Sequence, residues 1–259
     1  MKAIFGITLG IAVLVGCAAP GTAPAPQSSR AAETGSARDR ARAHTDLGVS
    51  YYDAGKLAIA LEELNEALRA DQSYAPAWGA RALVHMDLKE DAKAEKDFQQ
   101  AIRVDPNNSD SKNNYGMFLC QRKRGQEGVR QLLDAVKNPL YATPDVAYKN
   151  AALCSRGLGD AKSAEEYFKR AVQLNPRQPQ ALYNLAEISY AQDDPVASKG
   201  YLDRYMRVIE APGPEALWLG ARLERRLGNR DAQTNYADAL RRKYPSSAEA
   251  KALMQGRYE

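Results

Sequence analysis

The chain has 259 residues, 44% of them hydrophobic and 26% charged, an ordinary globular composition. Its formal net charge of +4, smaller by one if Lys2 leaves with a leader, is too mild to argue for nucleic acid as a partner. Two histidines and three cysteines leave little material for a metal site.

Residues 1–16 read as a secretory leader. Lys2 supplies a minimal positive start, and the apolar run from Ala3 to Leu14 is shorter than the roughly 20 residues a spanning helix needs. Leu14-Val15-Gly16-Cys17 resembles the bacterial lipobox. In that family the leader is cut before the cysteine, whose thiol and new amine carry fatty acyl chains; more than one chain is what stable anchoring requires. The plainer alternative is an ordinary signal peptide with an incidental cysteine. Ala18 after the cysteine implies, by resemblance to sorted lipoproteins, the periplasmic face of the outer membrane. Residues 17–40, rich in Ala, Pro, Gly, Ser and Thr, read as the lipidated Cys17 and a flexible tether.

From Ala41 a 34-residue period sets in, with copies at about 41–74, 75–108, 109–144, 145–178, 179–212 and 214–247. Ala75 to Asn108 shows it clearly: Trp78 at the fourth position, Ala94, Phe98 and Ala101 at helical spacing, and Pro106 near the end. Large residues at positions 4, 11 and 24 suit the space between two antiparallel helices. Small residues at 8, 20 and 27 suit close backbone approach. Gly55, Gly159 and Gly228, fifteenth in their copies, suit a turn with positive φ. The pattern resembles the tetratricopeptide repeat. That resemblance implies an all-α fold in one domain, 41–259: a right-handed superhelix of about six helix pairs plus a C-terminal capping helix over residues 248–259. The last two copies are blurred, so five repeats with a terminal pair is the other count.

No arrangement of residues suggests catalysis. There is no HExxH, GxSxG, P-loop or GxGxxG following a strand, and no strand pattern at all. His85, at position 11, reads as a satisfied imidazole between helices, and His44 as a solvated residue in a first turn. The reading is therefore of a binding protein with no cofactor, no metal and no small-molecule substrate.

With Cys17 assigned to lipid, Cys120 and Cys154 remain as a pair outside the reducing cytosol. They fall at positions 12 and 10 of neighbouring first helices, which pack side by side in such arrays, so a disulfide is expected; two free buried thiols is the alternative. The surrounding segments carry a more specific resemblance. Asn113-Asn114-Tyr115-Gly116-Met117-Phe118-Leu119-Cys120, Asn138-Pro139-Leu140-Tyr141 and Asn150-Ala151-Ala152-Leu153-Cys154 are similar to those of the type IV pilus biogenesis lipoproteins PilF and PilW. Ala152 stands where Gly is usual there. The resemblance implies a pilotin, a non-enzymatic protein that helps the pilus secretin, PilQ, reach the outer membrane and assemble as a ring.

In tetratricopeptide arrays the first helices line a concave groove. By that resemblance Tyr52, Leu83, Met86, Met117, Leu153, Tyr183, Tyr190 and Trp218 point inward, an apolar strip suited to a peptide or helix; the alternative is that superhelix packing or the capping helix covers some of them. Arg222, Arg225 and Arg226 read as a solvated face, with a basic patch as the alternative. A different adaptor role, organising periplasmic cell-wall enzymes or outer-membrane protein assembly, fits the same scaffold.

Overall fold

The computed structural model describes residues 35–258. The leader, Cys17 and the tether up to residue 34 lie outside the described residues. Thirteen helices, and no strand, are present among the described residues. They are α1 Ala37–Asp53, α2 Leu57–Ala70, α3 Ala75–Asp87, α4 Asp91–Val104, α5 Ser109–Gln121, α6 Gly125–Ala135, α7 Pro144–Gly157, α8 Ala161–Leu174, α9 Pro179–Ala191, α10 Pro195–Val208, α11 Pro214–Arg226, α12 Arg230–Lys243 and α13 Ala248–Met254. None is long and apolar enough to cross a membrane.

Each pair packs antiparallel, α1 on α2 through α11 on α12, and successive pairs stack. Helices of 13 or 14 residues are marginal alone; burial of one face holds them here. Ala60, Leu64 and Ala67 of α2 are fully buried, as are Ala94, Phe98 and Ala101 of α4 and Ala164, Phe168 and Ala171 of α8. Each enclosed Phe contributes about 1.5–3 kcal/mol of apolar burial. Phe98 also meets Tyr115 and Phe118 of the next pair, ring centroids 5.7 Å away in both cases, so the core continues from one pair into the next.

Local signals punctuate the stack. Pro106, Pro176 and Pro245 stand two residues past the ends of α4, α8 and α12, where a ring without an N–H costs no helix bond. The Asn108, Asp160, Asp194, Asn229 and Ser247 side chains accept backbone N–H groups at the starts of α5, α8, α10, α12 and α13. The turn inside every pair passes through positive φ at its fifteenth position. Gly55, Gly159 and Gly228 serve in three copies; Lys89, Lys123 and Asp193, with φ of 62°, 62° and 60°, serve in the others. That conformation costs a residue with a Cβ roughly 1 kcal/mol.

The first helix begins at Ala37, four residues inside the stretch read as tether. Ala37 to Arg40 are mostly good helix formers, and Asp39 lies in the first turn, where its charge favours the helix end. Helix α6 is three residues shorter than α8, 11 against 14. The connection that follows carries Asn138-Pro139-Leu140-Tyr141. Asn138 ties it down, donating to the Asn107 carbonyl at 3.1 Å and accepting from the Leu140 N–H at 3.0 Å. Leu140 is left 88% exposed.

Candidate functional site

First helices of neighbouring pairs touch: α1 with α3, α3 with α5, α5 with α7 and α9 with α11. Between α5 and α7 the three family-like segments make a seam. Asn150 donates to Asn113 at 2.9 Å, both buried. One further turn along α7, Cys154 is bonded to Cys120 of α5, their Cα atoms 5.7 Å apart. Met117, Leu153 and the disulfide then line a cavity of about 370 Å³ with Asn150 and Leu158. Its walls are largely carbon and sulfur, and Met adapts readily to different apolar guests.

Nearer the N-terminus, Leu83 and Met86 of α3 are half-buried against the Phe98–Phe118 cluster. Tyr52 of α1 donates its hydroxyl to Asp87 at 2.9 Å. Burial, and then this bond to a carboxylate, push its pKa up to about 12. Towards the C-terminus, Tyr183 and Tyr190 of α9 are half-buried around Leu202, Leu219 and Leu223. Tyr183 donates to Glu187 at 2.9 Å, and burial raises its pKa strongly.

Trp218 departs from its expected place on an open groove. It is only 8% exposed, because Tyr258, just after α13, stacks on its ring at 5.3 Å between centroids. The chain end folds back over the last first helix, so for Trp218 the alternative of coverage from the C-terminal end holds. Of the arginines beside it, Arg225 and Arg226 are exposed, as a solvated face requires, and Arg222 is half-buried. Arg222 lies 4.9 Å from the Tyr190 ring and 5.6 Å from the Trp218 ring, and Arg226 lies 4.2 Å from Tyr190. Arg156, Glu187, Tyr190, Leu219 and Arg222 line a second, open cavity of about 390 Å³.

The histidines are structural in their contacts. His85 Nδ1 is 2.6 Å from Glu90, in a buried network where Arg81 grips Asp97 at 2.6 and 2.9 Å. His44, read as solvated, is 40% exposed and pairs with Glu63 at 2.8 Å. Among the described residues, no group of three or more His, Cys, Asp or Glu is placed to hold a metal ion.

Comparison with known proteins places this architecture. The family model of the tetratricopeptide repeat matches residues 37–194. The type IV pilus assembly protein PilF of Pseudomonas aeruginosa is 33% identical over 220 residues, 84% of this chain and 86% of that protein. The chain belongs to the tetratricopeptide repeat family, among its type IV pilus biogenesis proteins. The solved structure of Pseudomonas aeruginosa PilF superposes with a TM-score of 0.78 at 31% identity, covering 85% of this chain and 99% of that one. PilW, described as a widely conserved type IV pilus biogenesis factor, gives 0.71 at 30% identity, covering 83% and 98%. In a tetratricopeptide protein of this kind the concave face is the candidate site, and its two cavities adjoin: Leu153 and Arg156, one turn apart on α7, border one each.

Arg156, Glu187 and Arg222 were not singled out as one group from the sequence. They come from α7, α9 and α11, and only their recurrence at positions 12, 9 and 9 of successive first helices could have grouped them.

Proposed function

We propose that this type IV pilus biogenesis protein is an outer-membrane lipoprotein, anchored through Cys17, that acts by binding. Its partner is the pilus secretin, PilQ, whose outer-membrane localisation and multimerisation it promotes. The observation that carries the reading is the apolar strip on the first helices. Leu83, Met86, Met117 and Leu153 remain partly exposed, and the last two line a cavity large enough for an apolar side chain. The likeness to PilF and PilW supplies the pilus context, and the lipobox-like Leu14 to Cys17 supplies the anchor.

The test is co-purification of the secretin with the lipidated protein from membranes, alongside Met86→Asp and Leu153→Asp. A charge placed in the apolar strip removes the secretin while circular dichroism stays unchanged. A deletion strain whose secretin remains multimeric in the outer membrane, with normal pili, overturns the proposal. Recovery dominated by peptidoglycan hydrolases instead points to an adaptor for cell-wall enzymes.

A further inference from the structure

Among the described residues, the Arg222 guanidinium has ring contacts but no ion pair. Its Nε is fully buried and has no hydrogen-bond partner, and no carboxylate pairs with its guanidinium among the described residues. Among its cationic neighbours, Arg225 lies over the Tyr258 ring, 4.1 Å from its centroid, while Arg156 and Arg226 have polar partners. Arg156 donates to Asn184 and to Glu187, the latter at 3.3 Å. Arg226 donates to the Tyr190 carbonyl at 3.1 Å and to Asp193 at 3.0 Å. Glu187, the carboxylate lining the same cavity, already accepts from Tyr183 at 2.9 Å as well as from Arg156.

A partly desolvated cation without a partner is costly, so a fold that keeps one gains on meeting an anion. The rings of Tyr190 and Trp218 hold the guanidinium in place, so little side-chain freedom is lost when it is engaged. Its planar fork matches a carboxylate. A dianionic phosphate matches less well, because Glu187 lies in the same cavity and repels it more strongly. Helix α7 joins this cavity to the apolar one, since Leu153 and Arg156 are about 5 Å apart along its axis.

We propose that the C-terminal stretch of the groove reads a carboxylate. Arg222 receives an Asp or Glu side chain of a peptide, another residue of which, apolar, occupies the cavity between Met117 and Leu153. The inference rests on the concave face being the partner groove, and adds to it that the bound segment is acidic as well as apolar.

The test measures fluorescence anisotropy of two labelled peptides with the full chain in detergent. One is acetyl-Leu-Ala-Leu-Glu-Leu-Glu-amide; the other has Gln in place of each Glu. The Glu peptide binds about tenfold tighter, the worth of one charge-assisted pair. Arg222→Gln abolishes that preference without changing the affinity for the Gln peptide or the melting temperature. Arg222→Lys, which keeps the charge and loses the fork, retains part of it. Equal binding of the two peptides, binding of neither, or a preference that survives in Arg222→Gln overturns the proposal. So does displacement of the Glu peptide by inorganic phosphate, or by vesicles of phosphatidylglycerol and phosphatidylcholine in equal parts but not by phosphatidylcholine alone. In each of those cases secretin capture that stays sensitive to Leu153→Asp leaves the groove reading intact. Capture indifferent to Leu153→Asp fails that reading instead.

Discussion

Gly116 of α5 and Gly128 of α6 face each other so closely that a Cβ on Gly128 would stand 2.6 Å from the Gly116 carbonyl oxygen. A Cβ on Gly116 would stand 2.9 Å from that of Gly128. Both obstacles are backbone, which cannot swing aside. Alanine's helix propensity favours substitution by about 1 kcal/mol; overpacking opposes it by about 1–3 kcal/mol. The clash wins at this pair, so Gly128→Ala and Gly116→Ala destabilise by about 2 kcal/mol. Gly200, in α10 with nothing near its missing Cβ, behaves oppositely: Gly200→Ala stabilises by about 0.5–1 kcal/mol. Urea unfolding midpoints of the three variants check the contrast.

The Cys120–Cys154 bond closes a loop with a sequence separation of 34. On the chain-entropy model such a closure is worth about 3–4 kcal/mol. The Cys120→Ser, Cys154→Ser double variant therefore unfolds at lower urea, with the helix pairs beside the seam most affected. Thiol titration of the denatured, unreduced protein finds neither cysteine reactive. Two reactive thiols per chain would sink the assignment.

Acid weakens the stack from its caps and connections. The Asp160 carboxylate is held below its ordinary 3.8 by the Ser163 hydroxyl and N–H, Asp134 by Lys112 and Lys137, and Glu165 below 4.5 by Lys169 and Gln192. A carboxyl whose folded pKa is depressed contributes stability that is present above its unfolded value and lost as pH falls through the folded one. The melting temperature is thus flat from pH 7 to about 5 and falls below about 4. Asp160→Asn, which keeps an acceptor for the Ser163 N–H without the charge, flattens part of that fall. Melting curves across this range decide it.

Tyr258 covers Trp218, and the contact is separable from the fold. Tyr258→Ala removes one stacked ring, costing about 0.5–1.5 kcal/mol beyond buried area. It also lets water reach the indole. In a Trp78→Phe background, where Trp218 alone reports, the emission maximum moves to the red while the helical signal is retained. An unchanged spectrum would mean that the chain end does not rest there.

How far the fold was legible follows from where its information sits. The 34-residue frame exposes what recurs: Ala60, Ala94 and Ala164 at the close approach, Leu64, Phe98 and Phe168 behind them, and the glycines of three turns. Lys89, Lys123 and Asp193 occupy the same turn position without the residue type that announces it. Contacts between pairs are harder still to read. Arg222 meets Tyr190 across 32 positions, which places a cation on a ring instead of in solvent. Trp218 is covered by a residue that belongs to no repeat. That Met117 and Leu153 share one wall was readable, because the period supplies their positions. The basic cavity beside it was not, because it depends on which arginines other groups already occupy.

The bond between Cys120 and Cys154 has one more consequence, which is mechanical. All of α6 lies inside the loop it closes. If the array is pulled from its ends, the helix pairs on either side can unravel, but about 110–120 Å of contour length stays locked behind the bond. An oxidised chain therefore extends as two arms pinned at the middle, and only reduction releases the rest.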